Sequence, residues 1–183
     1  MTFQELGLRQ EILDAVAELG FVNPMPVQEQ VIPYMLTHDN DLVALAQTGT
    51  GKTAAFGLPI LNMVNVEQRK IQSLVLAPTR ELCIQIANDI KNFASKMRGL
   101  KVVPVYGGEI IVVQYKQLGV QPQVLVATPG RLIDLINRGK VDLSEVRFLV
   151  LDEADEMLSM GFKEDIETIL RDTPYERQTV LFS

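Results

Sequence analysis

The residues best suited to chemistry form a glycine-rich turn, Ala46–Thr53, between an apolar run and a helical pattern. The apolar run, Leu42–Leu45, predicts a buried parallel strand. The periodic segment after the turn predicts a helix to about Val64. A strand, a glycine-rich turn ending in Lys-Thr and a helix together are typical of a phosphate-binding loop. That pattern usually begins with glycine, and here Ala46 takes the first place.

Each residue type in this turn has a chemical reason. Gly49 and Gly51 allow successive backbone N–H groups to point at phosphate oxygens, and the start of the helix adds its positive dipole end. Lys52 supplies charge for the outer phosphates, and the Thr53 hydroxyl can ligate Mg²⁺. The alternative is a turn that only caps the helix. The predicted nucleotide-contacting residues of the turn are Gln47, Thr48, Gly49, Thr50, Gly51, Lys52 and Thr53.

An acidic cluster, Asp152–Asp155, follows a second apolar run, Phe148–Leu151. In a chain with a phosphate loop, an aspartate at a strand end typically holds Mg²⁺, directly or through water. Glu153 can take a proton from an attacking water. Asp155 is better placed to link to another loop. The alternative is that the acidic residues only cap the next helix.

These segments need a scaffold that brings them together, and the apolar pattern supplies one. Six predicted strands alternate with helices, the last helix covering about 162–170; the strands are 42–45, 73–77, 102–106, 124–127, 148–151 and 179–182. This alternation predicts an α/β fold with a mainly parallel sheet and helices on both faces. Pro104 indicates an edge strand or a bulge. Ligands of such sheets bind beyond the carboxyl ends of strands, where the polar segments fall.

The first 36 residues read as a helical lead-in. Phe3–Leu19 is amphipathic and predicts one helix that Gly20 ends. Pro26 can start a second helix that runs to about Leu36. Within that helix Gln28, taken alone, is an ordinary polar helix residue.

Composition limits the class of protein. The 183 residues are 47% hydrophobic and 22% charged, which suits one globular domain. A net charge of −6 argues against a strongly basic nucleic-acid wrapper. The single cysteine, Cys83, excludes an internal disulfide and favours a cytoplasmic protein; its helical neighbours predict a buried small residue. No apolar run has the length of a membrane span.

In order along the chain, these segments resemble the motifs of the first RecA-like domain of the DEAD-box ATP-dependent RNA helicases, and Asp152–Asp155 spells the family's name. The fold that this resemblance implies is a RecA-like P-loop domain. The other resemblances are Gly20–Gln28 to the Q motif with Phe3 as its upstream aromatic, Ala46–Thr53 to motif I, Pro78–Leu82 to motif Ia, Gly107-Gly108 with Gln114 to the double-glycine motif, and Thr128–Arg131 to motif Ib. The segment Asp152–Phe162, with Glu164 and Asp165, is most similar to the bacterial cold-shock type.

The resemblance implies roles in ATP binding. Gln28 would read the adenine edge with its side-chain amide, which both donates and accepts. Phe21 would pack against the adenine ring. Asp152 would be the Mg²⁺ partner, together with Thr53, and Glu153 the general base.

The resemblance also implies contacts to the RNA backbone, made by Pro78, Thr79, Arg80, Gly108, Thr128, Gly130 and Arg131. Amides, hydroxyls and a few arginines bind phosphates without reading sequence, which is compatible with an acidic chain. Taken alone, the arginines would be surface ion pairs and the glycine pair a turn. The segment Glu109–Val113 is more apolar than the family's usual run.

The resemblance further implies that residues 1–183 are a truncated piece with a natural start at Met1. Ser183 would open a Ser-Ala-Thr motif to which Asp155 hydrogen-bonds. A second RecA-like domain with arginine fingers would follow, so we expect the piece alone to turn over ATP weakly.

The expected activity is ATP-dependent separation of short RNA duplexes or remodelling of RNA–protein complexes. One alternative is an ATP-gated RNA clamp or scaffold, and another is a DNA helicase of the same superfamily. Ribosome assembly, RNA decay and cold adaptation are the cellular settings that the resemblance suggests.

Overall fold

The computed structural model describes residues 1–47 and 49–183, and in these the predicted sheet is present. Its strands are β1 Leu42–Ala44, β2 Ser73–Leu76, β3 Val102–Val105, β4 Val124–Ala127, β5 Phe148–Leu151 and β6 Gln178–Phe182. They form one sheet in the order β1-β6-β5-β2-β4-β3, and all five neighbouring pairs are parallel. The mainly parallel sheet predicted from the sequence is therefore confirmed.

Helices cover both faces of this sheet. They are a 3₁₀ turn Phe3–Leu6, then α1 Gln10–Glu18, α2 Pro26–Thr37, α3 Lys52–Met63, α4 Arg80–Phe93, α5 Ile111–Leu118, α6 Pro129–Asn137, α7 Ala154–Ser159 and α8 Lys163–Asp172. Alternate residues of a strand point to opposite faces, so the valines Val75, Val126 and Val150 join a core with helices α1 to α4. The leucines Leu74, Leu125 and Leu149 join a second core with helices α6 to α8.

Two helix predictions need correction. The single helix predicted over Phe3–Leu19 is a 3₁₀ turn followed by α1, because Gly7 has φ 90°, which a right-handed helix cannot contain. After the acidic cluster the structure has two helices rather than one. Gly161, with φ 87°, separates α7 from α8. Among the described residues, no helix has the length and apolar character needed to cross a bilayer.

The prediction is correct for one edge strand of the sheet and partly wrong for the other. Pro104 lies in β3, an edge strand as predicted. The predicted parallel strand at Leu42–Leu45 is present as β1, Leu42–Ala44, but its predicted burial is wrong, because β1 is the other edge strand. Val43 is 67% exposed and Leu45, just beyond β1, is 84% exposed.

Cys83 is fully buried in α4, as its neighbours predicted. Its Sγ lies 3.4 Å from the carbonyl oxygen of Val126. Burial raises the pKa of the Cys83 thiol to about 12, so the thiol stays protonated at neutral pH.

Candidate functional site

A cleft of about 760 Å³ opens where the predicted site segments meet. We call it the main cleft. Its walls come from the loop between α1 and α2, the phosphate loop, one side of α4 and the residues after β5. Phe21, Gln28, Lys52, Thr53, Asp152 and Glu153 all line it. Residues more than 130 positions apart in sequence therefore share one cavity, as the sequence predicted for the ends of parallel strands.

Lys52 lies at the end of the main cleft that the phosphate loop lines, which we call the phosphate end. Its Nζ lies 3.1 Å from Asp152 Oδ1 and also hydrogen-bonds to Glu153 Oε1. Burial lowers the pKa of Lys52, but the hydrogen bond to Glu153 and the charge of Asp152 outweigh it, so the pKa lies above its ordinary value. The lysine is therefore a buried cation held by two carboxylates.

Asp152 has the character of a metal ligand. It is fully buried at the end of β5, and burial raises its pKa, although the charge of Lys52 opposes that change. Its Oδ1 accepts from Lys52 and from the N–H of Glu153, whereas Oδ2 is buried and has no partner among the described residues. An orphaned buried acceptor suits a cation. Within the described residues no group of three His, Cys, Asp or Glu side chains could hold a metal alone.

Glu153 adopts an unusual backbone conformation. Its φ of 55° and ψ of 49° lie in the left-handed region, which costs a residue with a Cβ about 1–2 kcal/mol. The strained residue joins β5 to α7 while its carboxylate contacts Lys52. Strain of this kind concentrates at functional sites.

Gln28 connects helix α2 to the phosphate loop. Its side-chain oxygen accepts from the N–H of Met25 at 2.9 Å, and its Nε2 donates to the carbonyl of Gly51 at 3.1 Å. The side chain is buried. Its amide is therefore engaged within the protein, and adenine reading by Gln28 remains a prediction.

Phe21 supplies an aromatic surface at the other end of the main cleft. Its ring is 36% exposed, and it packs on Phe3 at 6.2 Å and on the edge of Phe93 at 6.0 Å between centroids. The buried Phe3 thus packs against Phe21 and holds its ring in place.

The remaining phosphate-loop residues are divided between two places. Gly49 and Gly51 have φ of 84° and 79°, which agrees with the need for glycine there. Gln47 and Thr50 line a neighbouring groove beside β1, with a volume of about 680 Å³, rather than the main cleft. The predicted nucleotide contact at Thr48 falls outside the described residues.

The predicted RNA contacts also gather at the carboxyl edge of the sheet. Pro78 is buried, and the hydroxyl of Thr79 caps α4 by accepting from the N–H of Leu82 at 3.2 Å. The guanidinium of Arg80 lies 5.0 Å from the ring centroid of Tyr106. It is also next to Gly108, where an added Cβ would meet its Nη1 at 3.5 Å.

Arg131 is not a surface ion pair. It donates to Gln114 Oε1 at 2.9 Å and to the carbonyl of Glu109 at 3.0 Å. Gln114 in turn donates to the carbonyl of Tyr106 at 3.0 Å. These bonds attach the double-glycine loop to α6. Thr128 is buried and Gly130 exposed at the start of that helix.

Comparison with known proteins decides the family. Residues 25–183 match the family described as DEAD/DEAH box helicase. The chain belongs to this family. It is 52% identical to the ATP-dependent RNA helicase DeaD of Klebsiella pneumoniae over 182 residues, which cover 100% of this chain and 28% of that protein. It is 53% identical to the DEAD-box ATP-dependent RNA helicase CshA of Geobacillus kaustophilus, covering 100% of this chain and 38% of that protein.

A solved structure agrees with this assignment. A DEAD box protein from the hyperthermophile Methanococcus jannaschii superposes with a TM-score of 0.94 at 43% identity, covering 100% of this chain and 50% of that one. The chain thus spans about a third of the curated relatives it matches and half of this structural neighbour.

One coupling expected of a DEAD-box helicase is not formed in the part of the chain that the structure describes. Asp155 is exposed and has no hydrogen bond to Ser183. Ser183 instead extends the pairing of β6 with β1, donating to the carbonyl of Ala44 and accepting from the N–H of Ala46. The link between Asp155 and Ser183 stays a prediction.

The sequence-based prediction did not include one wall of the main cleft. Leu82, Gln85, Asp89, Asn92 and Phe93 of α4 line the main cleft. Their spacing places them along one side of the helix. In sequence this stripe is typical of a solvated face, and only the packing of α4 beside the phosphate loop identifies it as a cleft wall.

Proposed function

We propose that this chain is the ATP-binding RecA-like domain of an ATP-dependent RNA helicase that separates short RNA duplexes or remodels RNA–protein complexes. The observation that carries the proposal is the contact of Lys52 with both Asp152 and Glu153 inside the cleft that Phe21 lines. The relatives named ATP-dependent RNA helicases support it. In this proposal residues 1–183 are the first of two such domains, and the longer protein acts in the cytoplasm.

The contacts of Lys52 suggest how nucleotide enters the site. The lysine now neutralises two carboxylates, and the phosphates of ATP would compete for the same ammonium group. Phosphate binding would then release Asp152 and Glu153 for other roles. The phosphate-loop amides, held in place by Gly49 and Gly51, would receive the remaining phosphate oxygens.

The released carboxylates have different tasks in this proposal. Asp152 and Thr53 would hold Mg²⁺, with phosphate and water completing its shell; the unpartnered Oδ2 of Asp152 supports this role. The metal would neutralise charge that develops on the phosphates. Glu153, half-buried beside them, would accept the proton of the attacking water.

The RNA site would lie at the same edge of the sheet. The residues that would contact RNA follow β2, β4 and β3, which lie in that order on one side of β5, the strand that precedes Asp152; they are Arg80, Gly108, Thr128, Gly130 and Arg131. Contacts from backbone, hydroxyls and arginine suit the phosphates of RNA and carry no base preference. Cold adaptation, ribosome assembly and RNA decay remain predictions about the cellular setting.

Two substitutions test the division of roles. We expect Lys52→Ala to weaken ADP binding by about 100-fold, because charge-assisted bonds to phosphate are lost. We expect Glu153→Gln to keep ADP binding while hydrolysis by the longer protein falls by about 10²–10⁴-fold. Calorimetric titration with ADP and phosphate release in the presence of RNA measure the two effects. Lys96→Ala, at an exposed lysine of the same charge, serves as the control, and equal loss of binding in both test variants would contradict the proposal.

A further inference from the structure

The wall that α4 contributes to the main cleft has polar side chains with no role in the function proposed above. Gln85, Asp89 and Asn92 line the cleft. They are four and three residues apart, so they share one side of the helix. A carboxylate between two amides is therefore presented to the space where a nucleotide would lie.

The position of Asp89 along the cleft follows from its neighbours. Phe93 contacts Phe21, so the last turn of α4 lies at the aromatic end of the main cleft. The first turn of α4 lies at the carboxyl edge of the sheet, where Lys52 begins α3. A helix rises 1.5 Å per residue, so Asp89 is about 6 Å from Phe93 along the axis, towards the phosphate end. Asp89 thus lies between the place predicted for the base and the place predicted for the phosphates.

The surroundings of Asp89 leave its oxygens available. The side chain is half-buried, and it forms no hydrogen bond or ion pair with any residue that the structure describes. Burial raises the pKa of Asp89, which is the effect expected of a carboxylate that lacks a compensating cation. A partly desolvated acceptor gains from any ligand that brings donors to it.

The part of a nucleotide that joins base to phosphates is the ribose, and its hydroxyls are donors. A carboxylate accepts two hydrogen bonds at once and cannot donate any, and an acidic side chain binds the ribose hydroxyl in dinucleotide-binding folds. We propose that Asp89 binds the ribose hydroxyls of the nucleotide, as a specificity residue on α4. The inference rests on the proposed ATP site and deepens it, because it predicts preference for ribonucleotides over nucleotides that lack these hydroxyls.

The test compares two nucleotides that differ only in the ribose. ADP and 2′,3′-dideoxy-ADP are titrated into the wild-type chain and into Asp89→Ala by calorimetry. We expect the wild type to prefer ADP by about tenfold, the value of one charge-assisted hydrogen bond, and Asp89→Ala to bind both nucleotides alike. Asn88→Ala is the matched control, since Asn88 is the exposed neighbour on the same helix and does not line the main cleft. It should keep the tenfold preference.

The possible results separate this inference from the proposed function. If the wild type does not bind ADP, both fail. If ADP binds and Asp89→Ala keeps the wild-type preference, only the ribose contact is overturned. If Asp89→Ala weakens both nucleotides by the same factor, Asp89 has a structural role and the inference also fails. Thermal unfolding of each variant checks that the change in preference is not a change in fold.

Discussion

At the scale of single residues, one hydrogen bond joins Gln28 of α2 to the Gly51 carbonyl near the end of the phosphate loop. Gln28 is a buried donor to the Gly51 carbonyl and a buried acceptor for Met25. An added Cβ at Gly51 would come within 2.4 Å of Gln28 Nε2. The loop is therefore fitted to one amide orientation, and nucleotide binding should depend on Gln28 whether or not it contacts the base.

We expect Gln28→Glu to weaken ADP binding by about tenfold, because a carboxylate cannot donate to the Gly51 carbonyl and leaves that acceptor without its partner. Calorimetric titration measures the affinity. Gln30→Glu makes the same chemical change at an exposed position of the same helix and should leave the affinity within about twofold of wild type. Equal affinities in all three proteins would show that the Gln28–Gly51 bond does not shape the loop.

At the scale of elements, helix α3 positions Lys52 through its packing against the sheet. Phe56 lies one turn after Lys52, is fully buried, and packs on Phe182 of β6 with centroids 5.4 Å apart. We expect Phe56→Ala to lower the free energy of unfolding by about 3–5 kcal/mol, because it removes this contact and leaves a cavity. Urea unfolding measures the change, and an unchanged slope against urea shows that the surface exposed on unfolding is the same in both proteins.

Tyr175→Ala is the control for the packing of α3, since Tyr175 is almost fully exposed in the loop before β6. Its unfolding free energy should stay within about 0.5 kcal/mol of wild type. A similar loss in both variants would contradict the view that α3 depends on its buried aromatic contact.

The elements that could be predicted from the sequence were those with long apolar runs. The apolar runs of β2, β4 and β5 are buried on both faces, so their length and composition indicate strands without further information. The exposure of Val43 was missed because the same apolar pattern occurs in an edge strand, and strand order depends on contacts between distant segments. The break at Gly7 was missed because a glycine inside an amphipathic pattern does not reveal its sign of φ.

The candidate site shows the same division. The association of Lys52 with Asp152 was predictable, because both residues follow strands whose carboxyl ends meet at one edge. The internal hydrogen bonds of Gln28 and Arg131 could not be predicted. The sequence gives the residue type, but it does not show whether the side chain binds a ligand or another group of the protein. Asp89 was missed for a related reason, since a polar stripe beside a buried stripe usually faces solvent.

At the scale of the whole molecule, the proposed site would be one side of a larger site, because the chain spans only part of its relatives' length. It spans 28% of DeaD and 38% of CshA. In the proposed function Lys52 of the main cleft is the cation that binds phosphate, and the arginines that the family resemblance implies for the transition state would belong to a second domain. Binding and hydrolysis should therefore separate when these 183 residues are studied alone.

We expect the 183-residue chain to bind ADP but to hydrolyse ATP about 10³–10⁵-fold more slowly than the longer protein, because a missing arginine finger costs that much in rate. RNA should stimulate the longer protein and have little effect on the chain, since only half of the RNA-contacting residues would be present. Phosphate release with and without RNA measures both effects, and the longer protein carrying Glu153→Gln gives the background. A chain that reached the rate of the longer protein would show that Lys52, Asp152 and Glu153 suffice for turnover and that the second domain serves only the RNA.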